Sequence, residues 1–178
     1  AITRKDARIP EGRKYHGSEL KKPEAKAAWA AVDTLAKKSI YLRREFYVAK
    51  KVKDATAYVC GLGFYEFSLN GEKVGDSEFA PLWSDYDKSV YYNTYDVTSQ
   101  VKKGGNAIGV LLGNGFYNVQ GGRYRKLQIS FGAPTLRFRM VVNYEDGTSE
   151  TIVSGKDWKY DFSPVLFNCI YGGEDYDA

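Results

Sequence analysis

The sequence predicts an all-β fold, an antiparallel β-sandwich with one N-terminal α-helix, and three observations predict it. From residue 40 onward, apolar and polar residues alternate with a period of two, in short runs rich in β-branched and aromatic side chains. Those runs are punctuated by Gly, Asn, Asp and Lys, and no helical pattern alternates with them, which disfavours a parallel sheet. Helical spacing occurs once, before the first run.

Residues 1–22 are polar and irregular. In "PEAKAAWAAVDTLAKK", Pro23 to Lys38, the residues Ala25, Ala28, Trp29, Val32, Leu35 and Ala36 recur at helical spacing. Pro23 suits a first turn and Glu24 sits near the positive end of the dipole, so an amphipathic helix docking by Trp29 is expected over 23–38. Eight strands follow in "IYLRREFYV", "ATAYVCGL", "FYEFSLN", "SVYYNTYDV", "NAIGVLLG", "LQISF", "TLRFRMVVNY" and "TSETIVS". Asn70 and Gly71 supply the positive φ angles of a tight primed hairpin turn into "EKVG", and Glu145, Asp146 and Gly147 mark a second hairpin. The closing "SPVLFNCIYGGEDYDA" leaves the alternating pattern and reads as an exit segment.

Composition narrows the function. A chain of 178 residues with 43% hydrophobic residues can bury a core of its own. No run approaches the roughly 18 apolar residues of a membrane span, and the chain reads as soluble. The net charge of +4 is uneven: residues 1–53 hold 15 Lys/Arg against 6 Asp/Glu, and the remainder holds 11 against 16. The cations are scattered rather than interleaved with stacking aromatics, which argues against nucleic acid as a partner. With the single histidine His16 and two distant cysteines, zinc sites and His-dependent triads lack their parts. Cys60 and Cys169 lie in apolar runs and read as buried thiols, with one long-range disulfide as the alternative.

Two acidic groups, Asp85/Asp87 and Glu174/Asp175/Asp177, are dense enough to ask whether they form a hydrolytic carboxyl pair. Their Gly, Ser and Tyr neighbours make turn formation the stronger reading. "GLGFY" and "GNGFYNVQGG" lack the ending of a phosphate loop. Asn114, Asn118 and loop carbonyls offer oxygens to calcium without the spacing of an EF-hand. Sugar recognition needs flat aromatic faces beside planar polar groups, because a pyranose presents CH-rich faces and a rim of hydroxyls. "APLWSDYDKS" and "GNGFYNVQGGRYRK" combine Trp83, Tyr86, Phe116, Tyr117 and Tyr124 with Asp85, Asn114, Asn118, Gln120 and Arg123. The carbohydrate-contact candidates taken from this set are Trp83, Tyr86, Asn114, Phe116 and Asn118.

Taken in order, "YLRREF", "GLGFYEFSLNGEKVGDSEFAPLWSDYDKSVYYNTYDVT", "GGNAIGVLLGNGFYN" and "IYGGEDYDA" resemble the N-terminal β-sandwich of bacterial α-L-rhamnosidases, across residues 40–178. The resemblance implies a jelly-roll-like, galactose-binding-like sandwich at 40–165, an extension at 1–39, and an exit segment at 166–178 leading to a catalytic (α/α) barrel elsewhere in the protein. It also implies that hydrolysis of terminal rhamnosides is done by that barrel with inversion, so this region is non-catalytic and inactive alone. Some members use the sandwich as a calcium-assisted rhamnose-binding module, which makes calcium the candidate cofactor and a rhamnose-containing glycan the candidate partner. One departure is Phe116, where the family commonly carries Trp; it keeps a stacking face and loses an N–H donor. A purely structural domain packing on the barrel and a free-standing lectin are the alternative functions, and a periplasmic or secreted location is expected over a cytoplasmic one.

Overall fold

A computed structural model of the chain describes residues 2–3, 38–119 and 129–177. Of the helix expected over 23–38 only Lys38 is among them, so that helix lies outside the described residues, as do Gln120, Arg123 and Tyr124. In chain order the strands are β1 (Ile2–Thr3), β2 (Ile40–Val48), β3 (Val52–Leu62), β4 (Tyr65–Leu69), β5 (Glu72–Lys73), β6 (Asn93–Asp96) and β7 (Gly104–Leu112). Then come β8 (Asn118–Val119), β9 (Ile129–Ser130), β10 (Thr135–Tyr144), β11 (Ser149–Val153), β12 (Lys159–Phe162), β13 (Val165–Cys169) and β14 (Gly173–Tyr176).

Ten of these strands form two five-stranded sheets, and β8 with β9 and β13 with β14 form two-stranded ones. The first runs β1-β10-β3-β6 with β11 also on β10, and the second runs β12-β2-β7-β4-β5. Every pairing is antiparallel. The fold is thus all-β, and no helix occurs among the described residues. Alternation decides which face is covered: Ala55, Ala57 and Val59 of β3 and Leu136, Phe138, Met140 and Val142 of β10 are buried. They share one apolar cluster with Leu42 of β2, Phe67 and Leu69 of β4, and Ile108, Val110 and Leu112 of β7. Phe67 of the second sheet meets Phe138 of the first edge to face, with centroids 5.4 Å apart. That contact is favoured by the ring quadrupoles.

Both expected hairpin turns form. Leu69 pairs with Glu72 across Asn70 (φ 55°) and Gly71 (φ 85°), a two-residue primed turn. Asn70 also works beyond the turn. Its Nδ2 donates to Gln100 O (2.8 Å) and Asn106 Oδ1 (2.9 Å), while its Oδ1 accepts from Ala107 N–H (2.9 Å). The hairpin tip is thereby tied to the start of β7. At the second turn Asp146 accepts from the amide and hydroxyl of Thr148, and Gly147 takes the positive φ that a three-residue loop requires.

Several boundaries differ from the alternation. Of "SVYYNTYDV" only Asn93–Asp96 enters the ladder, pairing with Thr56–Val59, and Tyr91 and Tyr92 stay exposed beside the sheet. β12 adds to β2 as an edge strand with no buried residue, which is why no alternation marks it. Residues 165–176 lie outside both sheets and form their own hairpin, β13 on β14. Cys60 is half-buried, Cys169 is buried, and both are free thiols rather than a disulfide.

Candidate functional site: an aromatic platform over an amide network

The site begins with the close approach of two glycine-containing turns. Gly63, with φ 124°, lies between β3 and β4, and a side chain there would put its Cβ 2.2 Å from Gly113 O. Gly113 N–H donates to Phe64 O at 2.8 Å. Gly115 (φ 52°) faces Phe64, where a Cβ would sit 2.7 Å from the Phe64 nitrogen. The glycines of "GLGFY" and "GNGFYN" therefore let backbone touch backbone, and this contact sets Phe64 and Phe116 at one end of the sheets.

A third segment crosses them. Ala80 O accepts from Tyr65 N–H at 2.8 Å, carrying residues 80–83 alongside β4. Pro81, joined by a cis peptide, is buried, while Leu82 and Trp83 face outward. The Trp83 ring stacks on Phe116 with a centroid separation of 4.7 Å and an interplanar angle of 12°. It remains 55% exposed. Phe116 is held edge-on by Phe64 (5.8 Å) and by Tyr171 of the β13–β14 turn (5.9 Å). Phe79, Leu82 and Tyr171 are exposed around this stack. A cavity of about 320 Å³ opens beside it, lined by Phe64, Phe79, Glu66, Glu78 and Glu174 among others.

Tyr86 belongs to a neighbouring cluster. Its ring meets Tyr117 at 5.1 Å and Phe131 at 5.2 Å, both edge to face, and Tyr117 Oη donates to Phe131 O at 3.2 Å. Burial, with a smaller contribution from Tyr117, pushes the Tyr86 phenol up to about 12. The Tyr117 phenol is also raised by burial.

Asn114 and Asn118, expected at a sugar-facing surface, are instead 1% and 0% exposed. Asn118 Nδ2 donates to Asn114 Oδ1 (2.9 Å) and Asn118 Oδ1 accepts from Ser130 Oγ (2.8 Å). Asn114 Nδ2 donates to Asn168 O (3.1 Å), Asn168 Oδ1 accepts from Asn114 N–H (2.6 Å), and Asn168 Nδ2 donates to Ser39 Oγ (3.0 Å). Buried amides are stable only when partnered, and this chain of partners ties β13, β9 and the lead-in to β2 to the loop carrying Phe116. Ser39, Ser130 and Asn168 were not among the sequence candidates; nothing local marks them, because their partners are remote in the chain.

The same geometry bears on calcium and catalysis. The Asn114 and Asn118 side-chain oxygens are taken up by hydrogen bonds, and among the described residues no three His, Cys, Asp or Glu side chains converge. As placed, this donor set does not fit the six to eight oxygens a calcium ion takes. Asp85 shapes a turn: its carboxylate accepts from Asp87 N–H (3.3 Å) and pairs with Lys88 (2.9 Å). Glu174 and Asp175 stand exposed on β14.

The described residues thus form an all-β domain that presents an exposed, stacked aromatic plate at one end. Residues 50–178 match the family profile of the alpha-L-rhamnosidase N-terminal domain, and the chain belongs to that family. It is 45% identical over 142 residues to an alpha-L-rhamnosidase of Formosa agariphila and 42% identical over 151 residues to one of Streptomyces avermitilis. Those alignments cover 78% and 84% of this chain but 15% of each relative. Among solved structures, the alpha-L-rhamnosidase of Dictyoglumus thermophilum superposes with a TM-score of 0.71 at 40% identity, over 78% of this chain and 15% of that one. The Streptomyces avermitilis enzyme, crystallised with L-rhamnose, gives 0.70 at 40% identity, over 79% and 14%. The chain thus spans about 15% of the length of the relatives it matches.

Proposed function

We propose that the chain is the non-catalytic N-terminal module of an α-L-rhamnosidase that hydrolyses terminal α-L-rhamnosides, that its two sheets form a jelly-roll-like, galactose-binding-like sandwich, and that the Trp83–Phe116 plate contacts a rhamnose-bearing glycan. One observation carries the binding reading: Trp83 is held flat against Phe116 yet is 55% exposed. A ring already fixed by stacking loses little freedom when a sugar face covers it, which lowers the cost of binding. Tyr86 supports the loop from its own cluster, and Asn114 and Asn118 act from beneath, holding Phe116 rather than touching sugar. Glu66, Glu78 and Glu174 at the adjoining cavity supply acceptors for hydroxyls.

The test is a titration of L-rhamnose into the chain, with and without calcium, followed by Trp fluorescence. A saturable change in the millimolar range, about 4 kcal/mol of binding, that is lost in Trp83→Ala supports the reading. No change up to saturating sugar overturns it.

A second reading has its own support. Phe79 (68% exposed), Leu82 (77%) and Tyr171 (48%) extend the plate into an apolar surface of the kind that packs on another domain. In that reading the module braces the catalytic domain of its own protein, and Leu82→Asp in the full-length enzyme lowers thermal stability without altering sugar binding. In both readings the isolated chain does not hydrolyse rhamnosides.

A further inference from the structure

The outward face of the first sheet carries a pattern that the Trp83 site does not use. Cross-strand register places Val153 of β11, Arg139 of β10 and Tyr58 of β3 in one row, and Arg137 opposite Cys60 in the next. The two guanidinium-bearing residues are two positions apart on one strand, about 7 Å along it. Tyr92 leans over Tyr58 with ring centroids 6.2 Å apart, and Val90 (47% exposed) and Val153 (53%) close the sides. Together these residues line a groove of about 820 Å³. That volume lies within the range of small-molecule sites, about 300–1,000 Å³.

The groove holds the two described arginines without a carboxylate partner, while the exposed cations left unpaired elsewhere, Lys53, Lys102, Lys103, Lys156 and Lys159, are lysines without the planar guanidinium fork. Arg43, Arg44, Lys50, Lys51, Lys73 and Lys88 each pair with a carboxylate. Arg137 and Arg139 pair with none among the described residues. The acids on the same face are engaged elsewhere: Asp54 accepts from Asn143 Nδ2 (2.6 Å), and Asp96 accepts from the Thr98 hydroxyl (2.6 Å). Two exposed, unpaired guanidinium groups beside tyrosine rings match an anion that also has a face to stack.

We propose that this groove is a second saccharide site, selective for sugar units bearing a carboxylate. Arg137 and Arg139 bind the carboxylate through charge-assisted, bidentate hydrogen bonds. Tyr92 and Tyr58 cover the ring faces. The proposal does not depend on rhamnose binding at Trp83.

The probe is a galacturonic acid trisaccharide, titrated calorimetrically into the 178-residue chain at low salt, with maltotriose as the neutral control and hexaglutamate as the non-sugar anion. Saturable binding of the trisaccharide is expected, weakening as salt rises. Arg137→Gln/Arg139→Gln is expected to weaken it at least tenfold and Tyr92→Ala several-fold, while Trp83→Ala leaves it unchanged. These surface changes leave the apolar cluster intact, so circular dichroism should show wild-type folding. No binding of the trisaccharide, equal affinity in the double arginine variant, or equal affinity for hexaglutamate would each overturn the proposal.

Discussion

Asn118→Ala separates a framework role from a ligand-contact role. The substitution deletes the donor to Asn114 Oδ1 and the acceptor of Ser130 Oγ, two buried contacts of 2.9 and 2.8 Å. Each buried group that loses such a partner costs about 1–3 kcal/mol. The Ser130 hydroxyl, which keeps the bond it accepts from Gly132 N–H at 3.3 Å, can rotate its O–H toward another acceptor, which places its cost at the lower end. The sum is about 3 kcal/mol, and at roughly 2–4 °C per kcal/mol for a domain of this size the melting temperature falls by about 6–12 °C. Thermal unfolding followed by circular dichroism measures it. Rhamnose affinity, read well below the transition, should change less than about threefold, because Asn118 lies under the plate. Trp83→Ala gives the opposite pattern in affinity. An Asn118→Ala protein with an unchanged melting temperature and Trp83→Ala-like loss of binding would refute the reasoning.

Three further outcomes are expected. Asn70→Gly keeps the positive φ but removes three hydrogen bonds of about 1 kcal/mol each, so it should destabilise by about 3 kcal/mol in urea unfolding, and Asn70→Ala by about 1 kcal/mol more. Gly63→Ala, with its Cβ against Gly113 O and φ 124°, should destabilise at least as much and loosen the Trp83–Phe116 stack, seen as a shift in Trp emission. For Tyr86 the folded value near 12 exceeds the unfolded value near 10, so its contribution is present below pH 10 and lost as pH rises toward 12; Tyr86→Phe should flatten stability over that window in alkaline denaturation.

What the sequence discloses depends on whether the deciding interaction is local. β2 and β10 are legible residue for residue, because long Pro-free runs with one buried face must alternate. The Asn70–Gly71 turn is legible because few residues tolerate its φ angles. β12 and β14 are not, since neither has a buried face to impose a pattern. Among candidate site residues, Trp83 and Phe116 stand out as large rings in polar loops, but their stacking arises only after two chain turns meet at Gly63 and Gly113.

Asn114 and Asn118 show the opposite failure. Amides in a Gly-rich loop read as surface groups, and local chemistry offers them no burial. Their actual partners include Asn168, 54 residues from Asn114, and through it Ser39, 129 residues from Asn168. Such a network cannot be inferred from spacing, yet its position follows from necessity. A loop wedged between β13 and β9 brings backbone groups into the interior, and every one of them must find a partner. Side-chain amides meet that demand because each can donate and accept at once. The same residue types that suggest a sugar's hydroxyls to a reader of the sequence are therefore required beneath the plate by the protein's own backbone. The exposed ring above is what remains available to a ligand.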